Sequence, residues 1–114
     1  MIPNFETAVI SDAKIRDYLL STSHPFGRDK AAFFRQFGFS RDAWPRLALA
    51  LIHHAEENEV ISEEDSPFGV RYTVEGRLET PDGRNPMVRV VWFVRQGEQI
   101  PRLVTAYPTP RRTS

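Results

Sequence analysis

The hydrophobic pattern of this 114-residue chain changes period once, near residue 60, and that change limits the fold more than any other feature. Before it, apolar residues recur three and four apart, as on one face of a helix; beyond it they alternate, as on a strand. Ser11 and Asp12 are placed to cap a helix running to Leu20, with Ile15, Tyr18, Leu19 and Leu20 as its apolar stripe. Ser21 to Gly27 breaks it, because a residue before proline, here His24, avoids the helical region. A second helix is expected from about Arg28 to Phe37, carrying Ala31, Phe33 and Phe34 and stopped by Gly38. A third has Ser40 as N-cap and ends before Asn58, with Pro45 tolerated in its first turn. The second half reads as a short edge strand over Glu59 to Ser62, then strands over Arg71 to Leu78, Met87 to Arg95 and Arg102 to Tyr107. Thr80-Pro81-Asp82-Gly83 and Gln96-Gly97 supply turns between them. The expected fold class is therefore α+β: three N-terminal helices packed on a three- to four-stranded antiparallel meander sheet, in one domain over 1–108, with 109–114 a flexible basic tail.

Fifteen basic residues balance fifteen acidic ones, so no global field draws the protein to nucleic acid or an anionic membrane. Any such binding has to come from a local patch. The absence of cysteine excludes disulfides, thiolate-bound zinc, iron–sulfur clusters and a catalytic thiol. The longest apolar stretches, such as Leu47 to Ile52, fall far short of the roughly 20 residues a membrane span requires. Glu6 and Asp12 interrupt any signal-like core at the start. These features predict a soluble cytoplasmic domain with no membrane partner and no cofactor.

Of the fifteen basic residues only Lys14 and Lys30 are lysine, and the thirteen arginines are unevenly spread. Between Arg84 and Arg112 six arginines face one acid, Glu98, a local charge of +5. If Val88, Val90, Trp92 and Val94 point at the helices, Arg89 points the other way, as do Arg71 and Thr73 on the neighbouring strand. That face suits a phosphate backbone; it equally suits a solvated sheet surface on which Arg pairs across strands with Glu75. In Ser23-His24-Pro25-Phe26-Gly27-Arg28-Asp29-Lys30, a histidine, close-approaching backbone and a lysine meet at a helix start, which favours an anion. The plainer account has His24 capping the preceding helix and Lys30 on the surface. His53 and His54 face different directions on one helix, and no convincing metal site is expected from His53 with Glu56 or Glu57. Alternation puts Leu103, Thr105 and Tyr107 on one face of the last strand, where two hydroxyls with Arg102 nearby can orient a phosphate ester.

Three segments carry a resemblance. His24-Pro25-Phe26-Gly27-Arg28-Asp29-Lys30-Ala31-Ala32-Phe33-Phe34, Phe68-Gly69-Val70-Arg71-Tyr72, and Trp92-Phe93-Val94 with Pro101 to Pro108 together resemble the DUF6883-like bacterial domains. Such domains are found alone and at the C-termini of polymorphic toxins. In layout they are similar to the barnase, EndoU, colicin and RelE-like group of metal-independent ribonucleases. The resemblance implies RNA cleavage by the substrate's own 2′-hydroxyl, with His24 as general base or acid and Lys30 with Arg71 or Arg89 stabilising the phosphorane. Thr105 and Tyr107 would position the phosphate, Arg102 would help bind it, and a cognate immunity or antitoxin protein would be a partner. Beginning at Met1 without a delivery domain, such a toxin is expected to be cytoplasmic or an orphaned module. The alternative is a non-catalytic protein-interaction module that docks through its Arg-rich sheet face.

Overall fold

The computed structural model describes residue 2, residues 4–20 and residues 28–110. The Ser21 to Gly27 segment with His24, and Arg111 and Arg112 of the expected tail, lie outside the described residues. The alternating second half forms one antiparallel sheet of β1 (Val60–Ser66), β2 (Gly69–Arg77), β3 (Met87–Arg95) and β4 (Arg102–Pro108), in the spatial order β1-β2-β3-β4. Strand β1 runs four residues past the expected Ser62, through Glu63, Glu64 and Asp65. As an exposed edge strand it has little apolar alternation to reveal it, and its acids pair by register with β2, Glu64 opposite Arg71.

The expectation of three N-terminal helices is corrected. Where a helix was expected up to Leu20, there is a single α-turn, α1 (Asp12–Lys14), continuing as a π-helical turn over Ile15–Leu19. Ser11 does cap it, its Oγ accepting the Lys14 N–H at 3.1 Å, but the Leu20 N–H then reaches five residues back to the Ile15 carbonyl at 2.8 Å. Burial explains the wider winding. Ile15, Leu19 and Leu20 are all fully buried; at about 100° per residue an α-helix would turn Leu20 roughly 140° away from Ile15, whereas a π-turn brings both leucines beneath it. Among the described residues two α-helices remain, α2 (Arg28–Gln36) and α3 (Trp44–Glu57), so the fold is still α+β. A short 3₁₀ turn, Phe5–Thr7, precedes them. Ser40 caps the turn before α3 rather than the helix itself: its Oγ accepts the Ala43 N–H, and Ala43 holds the N-cap position without a side-chain bond.

The helices cover one face of the sheet. Val88, Val90 and Trp92 of β3 are buried with Phe34 of α2 and Leu47 and Leu51 of α3. The C-terminal half of α3 docks on β2 and β3 through His54, whose Nε2–H points at the carbonyls of Val88 (3.0 Å) and Gly76 (3.2 Å). Both neighbours are acceptors, so Nε2 carries a proton. Burial of the ring lowers its pKa, outweighing the two carbonyls that would raise it. Gly76 leaves space for the Asn58 side chain, which in turn donates to the His54 carbonyl at 2.9 Å.

Two further attachments set the margins of the sheet. Val9 pairs with the start of β4, its N–H donating to Pro101 and its carbonyl accepting from Leu103, which covers part of that edge. The loop between β2 and β3 folds about the expected Thr80 turn, with Gly83 at φ 79°. Arg84 fastens that loop to the end of α2, donating to the Gln36 carbonyl at 2.7 Å and lying 4.3 Å above the Phe37 ring. It also pairs with Asp82, whose burial would raise its pKa; the Arg84 and Thr80 hydrogen bonds hold it below the usual carboxylate value.

Folded His54 binds a proton less readily than unfolded His54. Its contribution to stability is therefore complete above about pH 6.5 and is lost as pH falls through the lowered folded value. Urea midpoints at pH 7.5 and 5.5 should differ for the wild type, and His54→Leu should shrink the difference. At Gly76, an added Cβ would collide with the Asn58 amide. Gly76→Ala should cost about 1–3 kcal/mol in the same assay.

Candidate functional site

The parity of β3 determines what is displayed by the other face of the sheet, here termed the uncovered face because no helix covers it among the described residues. With Val88, Val90 and Trp92 turned to the helices, Arg89, Val91, Phe93 and Arg95 face the opposite way. Antiparallel register then builds rows across the strands. Glu75 of β2, Arg89 of β3 and Tyr107 of β4 form one; Thr73, Val91 and Thr105 form the next; Arg71, Phe93 and Arg102 form the third. Five of the residues singled out from the sequence, Arg71, Arg89, Arg102, Thr105 and Tyr107, thus share one surface.

Lys30 does not join them. It lies on α2, whose Ala31 and Phe34 are buried on the other side of the sheet. His24 lies outside the described residues. The expected face of β4 also needs correction. A bulge falls between the pairs Val91–Thr105 and Trp92–Leu103, leaving Val104 as the additional residue. Leu103 therefore enters the core with Trp92, and Thr105 and Tyr107 are turned outward instead of sharing its face.

The central row is the most organised part of this surface. Arg89 Nε donates to Glu75 Oε2 at 2.7 Å, with both side chains about three-quarters covered. This bond, with the Tyr107 hydroxyl as a further acceptor, raises the guanidinium pKa and keeps it charged. Neighbouring arginines are less committed in geometry: Arg102 Nε lies 3.6 Å from Glu98, and Arg71 is exposed opposite Glu64. By register the face carries Arg71, Arg89, Arg95 and Arg102 against Glu64 and Glu75, with Glu98 beside Arg102, whereas Arg77 donates to the Asn85 carbonyl and borders a recess with His53 and Glu57 of α3. The +5 stretch is thus only partly available, since Arg84 is spent on the α2 attachment.

Glu75 is the residue that reading the sequence undervalued. Taken there only as a neutralising pair, it is a half-buried carboxylate in the same row as Arg89 and Tyr107. Its position two residues beyond Thr73 on the alternating strand was the available signal. On the helical side, an open recess lies between α3 and the loop after β2, bounded by Arg46, Leu49, His53 and Glu79. His53 Nδ1 stands 3.9 Å from Glu79, yet among the described residues no group of three His, Asp or Glu is placed to hold a metal ion. Nor, among them, is any helix long and apolar enough to cross a membrane.

A family model described as "Domain of unknown function (DUF6883)" matches residues 1–110. The chain belongs to this family. No curated protein matches this DUF6883 domain. Among solved structures, it is similar to a chain of a contact-dependent growth inhibition toxin–immunity protein complex from Klebsiella pneumoniae 342. That likeness has a TM-score of 0.74 at 16% identity and covers 94% of this chain and 97% of the other. At such identity the two share a fold; residue roles do not transfer with it.

If Glu75 holds Arg89 as this geometry indicates, the Arg89 Nε–H should exchange slowly with solvent. Glu75→Gln should speed that exchange, read by NMR of the arginine side chains, while Glu64→Gln leaves it unchanged.

Proposed function

We propose that this DUF6883 domain is a metal-independent endoribonuclease of toxin type that works on the uncovered face of its sheet. The observation that carries the reading is the Glu75–Arg89–Tyr107 row: a carboxylate, a fixed guanidinium and a phenol held side by side across three strands. Cleavage of RNA by its own 2′-hydroxyl needs those functions. The 2′-oxygen attacks the adjacent phosphorus while a base takes its proton, and the 5′-oxygen departs with a proton from an acid, leaving a 2′,3′-cyclic phosphate.

In this scheme the Glu75 carboxylate takes the proton and Arg89 holds the charge that grows on the non-bridging oxygens. Thr105 and Tyr107 orient the phosphate by hydrogen bonds, and Arg71 and Arg102 bind the flanking backbone. The acid in this scheme is assigned to His24 from the sequence motif alone, since it lies outside the described residues. The charge-stabilising part expected of Lys30 passes to Arg89, because Lys30 stands in the helical layer. Each proton-transfer group contributes roughly 10²–10⁴-fold, and loss of the guanidinium roughly 10²–10³-fold.

A second reading has a specific observation in its favour. Arg84, Arg89 and Arg102 each already face an acid, which fits a non-catalytic module whose Arg-rich surface docks a protein. The Klebsiella complex pairs a toxin with an immunity protein, and a cognate partner of that sort fits either reading.

Purified protein incubated with total RNA in EDTA should cleave it. Glu75→Gln and His24→Ala should each slow cleavage by roughly 10²–10⁴-fold, and Arg89→Ala by roughly 10²–10³-fold. Intact RNA over a range of pH and salt would reject the enzyme. In that case, a stoichiometric protein partner lost on Arg89→Glu would establish the docking module.

A further inference from the structure

The third row of the uncovered face has a different chemistry from the first. Phe93 stands there between Arg71 on β2 and Arg102 on β4, an aromatic ring with a guanidinium-bearing neighbour on each side. It is half-buried, and it is not part of the core that packs on the helices. Its ring leans over Gly69, the diagonal neighbour on β2; a Cβ at that glycine would come within 2.9 Å of the ring tip. Gly69 has φ 147°, a conformation that side chains rarely adopt, so the residue both permits the hairpin and leaves the ring its seat.

We propose that Phe93 is a stacking platform for a base of single-stranded RNA, with Arg71 and Arg102 gripping the phosphates on either side; the proposal rests on the ribonuclease reading. An aromatic ring flanked by cations binds unpaired nucleotides, because every base offers a π-face and the backbone offers charge. The bases of a duplex are already stacked on one another and cannot lie on Phe93 unless they are unpaired first. The preferred substrate is therefore a loop or an unpaired end. Phe93 is four residues from Arg89 along β3, about 13 Å at strand spacing. The stacked base thus belongs to a nucleotide beside the cleaved linkage, and Phe93 is a positioning residue.

The probe is a 2′-O-methyl hexanucleotide, which has no attacking hydroxyl, presented single-stranded or annealed to its complement, with affinity read by fluorescence anisotropy. Wild type should bind the single strand more tightly than the duplex. Phe93→Leu should weaken single-strand binding by about 5- to 150-fold with the salt slope unchanged, whereas Arg71→Ala should lower that slope by about one. Phe93→Trp should keep the affinity and show fluorescence quenching on binding, a signal that a merely structural ring would not give. It also serves if Phe93→Leu fails to fold. Equal binding by Phe93→Leu, unquenched Phe93→Trp, or equal affinity for duplex would overturn the proposal.

Cleavage of unmodified RNA by the wild type is measured in parallel. Cleavage with unaltered Phe93→Leu binding removes the platform and leaves the ribonuclease. Phe93-dependent binding without cleavage removes the ribonuclease and leaves the platform. Neither binding nor cleavage removes both.

Discussion

The burial of alternate residues on β3 is the constraint from which the rest of this structure follows. Val88, Val90 and Trp92 have to leave water, and the helices meet that need on one side. A strand has only two faces, so Arg89 and Phe93 are committed to the other before any functional consideration applies. β3 is central enough to have a neighbour on each side, and register carries that commitment outward to Glu75, Arg71, Tyr107 and Arg102. A one-residue slip would place a guanidinium in the core, which is why the register is strongly specified.

The layer behind that surface is joined to it by polar as well as apolar contacts. His54 links α3 to the backbones of two strands, and its neighbour Gly76 is in the same strand as Glu75. Arg84, in the loop that follows β2, ties the same end of the sheet to α2. These attachments hold β2 and β3 against the helices at the end of the sheet where the Glu75–Arg89 pair sits. The Glu75–Arg89 pair thus stands on paired strands rather than on loops.

Much of this was legible in the sequence. The change of period near residue 60 separates helices from strands, and the double apolar character of Met87 to Arg95 marks the central strand. Alternation alone puts Arg71, Thr73 and Arg89 on one surface. Three things were not legible. The π-turn at Ile15–Leu19 depends on which side the core lies, and local propensity holds no record of that. The full length of β1 is hidden because its residues are exposed and acidic. The roles of Glu75 and Phe93 depend on register between strands, since neither residue stands near its partners in the chain.

The bulge at Val104 gives β4 a freedom that the regular β2–β3 pair lacks. On one side of it, Leu103 is pinned to Val9 and the core; on the other, Tyr107 is pinned opposite Arg89. Because the additional residue sits between these two anchors, removing it leaves Leu103 inward and Thr105 and Tyr107 outward, in plain alternation. Removing a residue within either anchored half instead inverts the faces of the residues that follow. Val104 is therefore the place in β4 where relatives of this chain can lose a residue without exchanging interior for exterior, and an alignment gap there would keep Thr105 and Tyr107 facing outward.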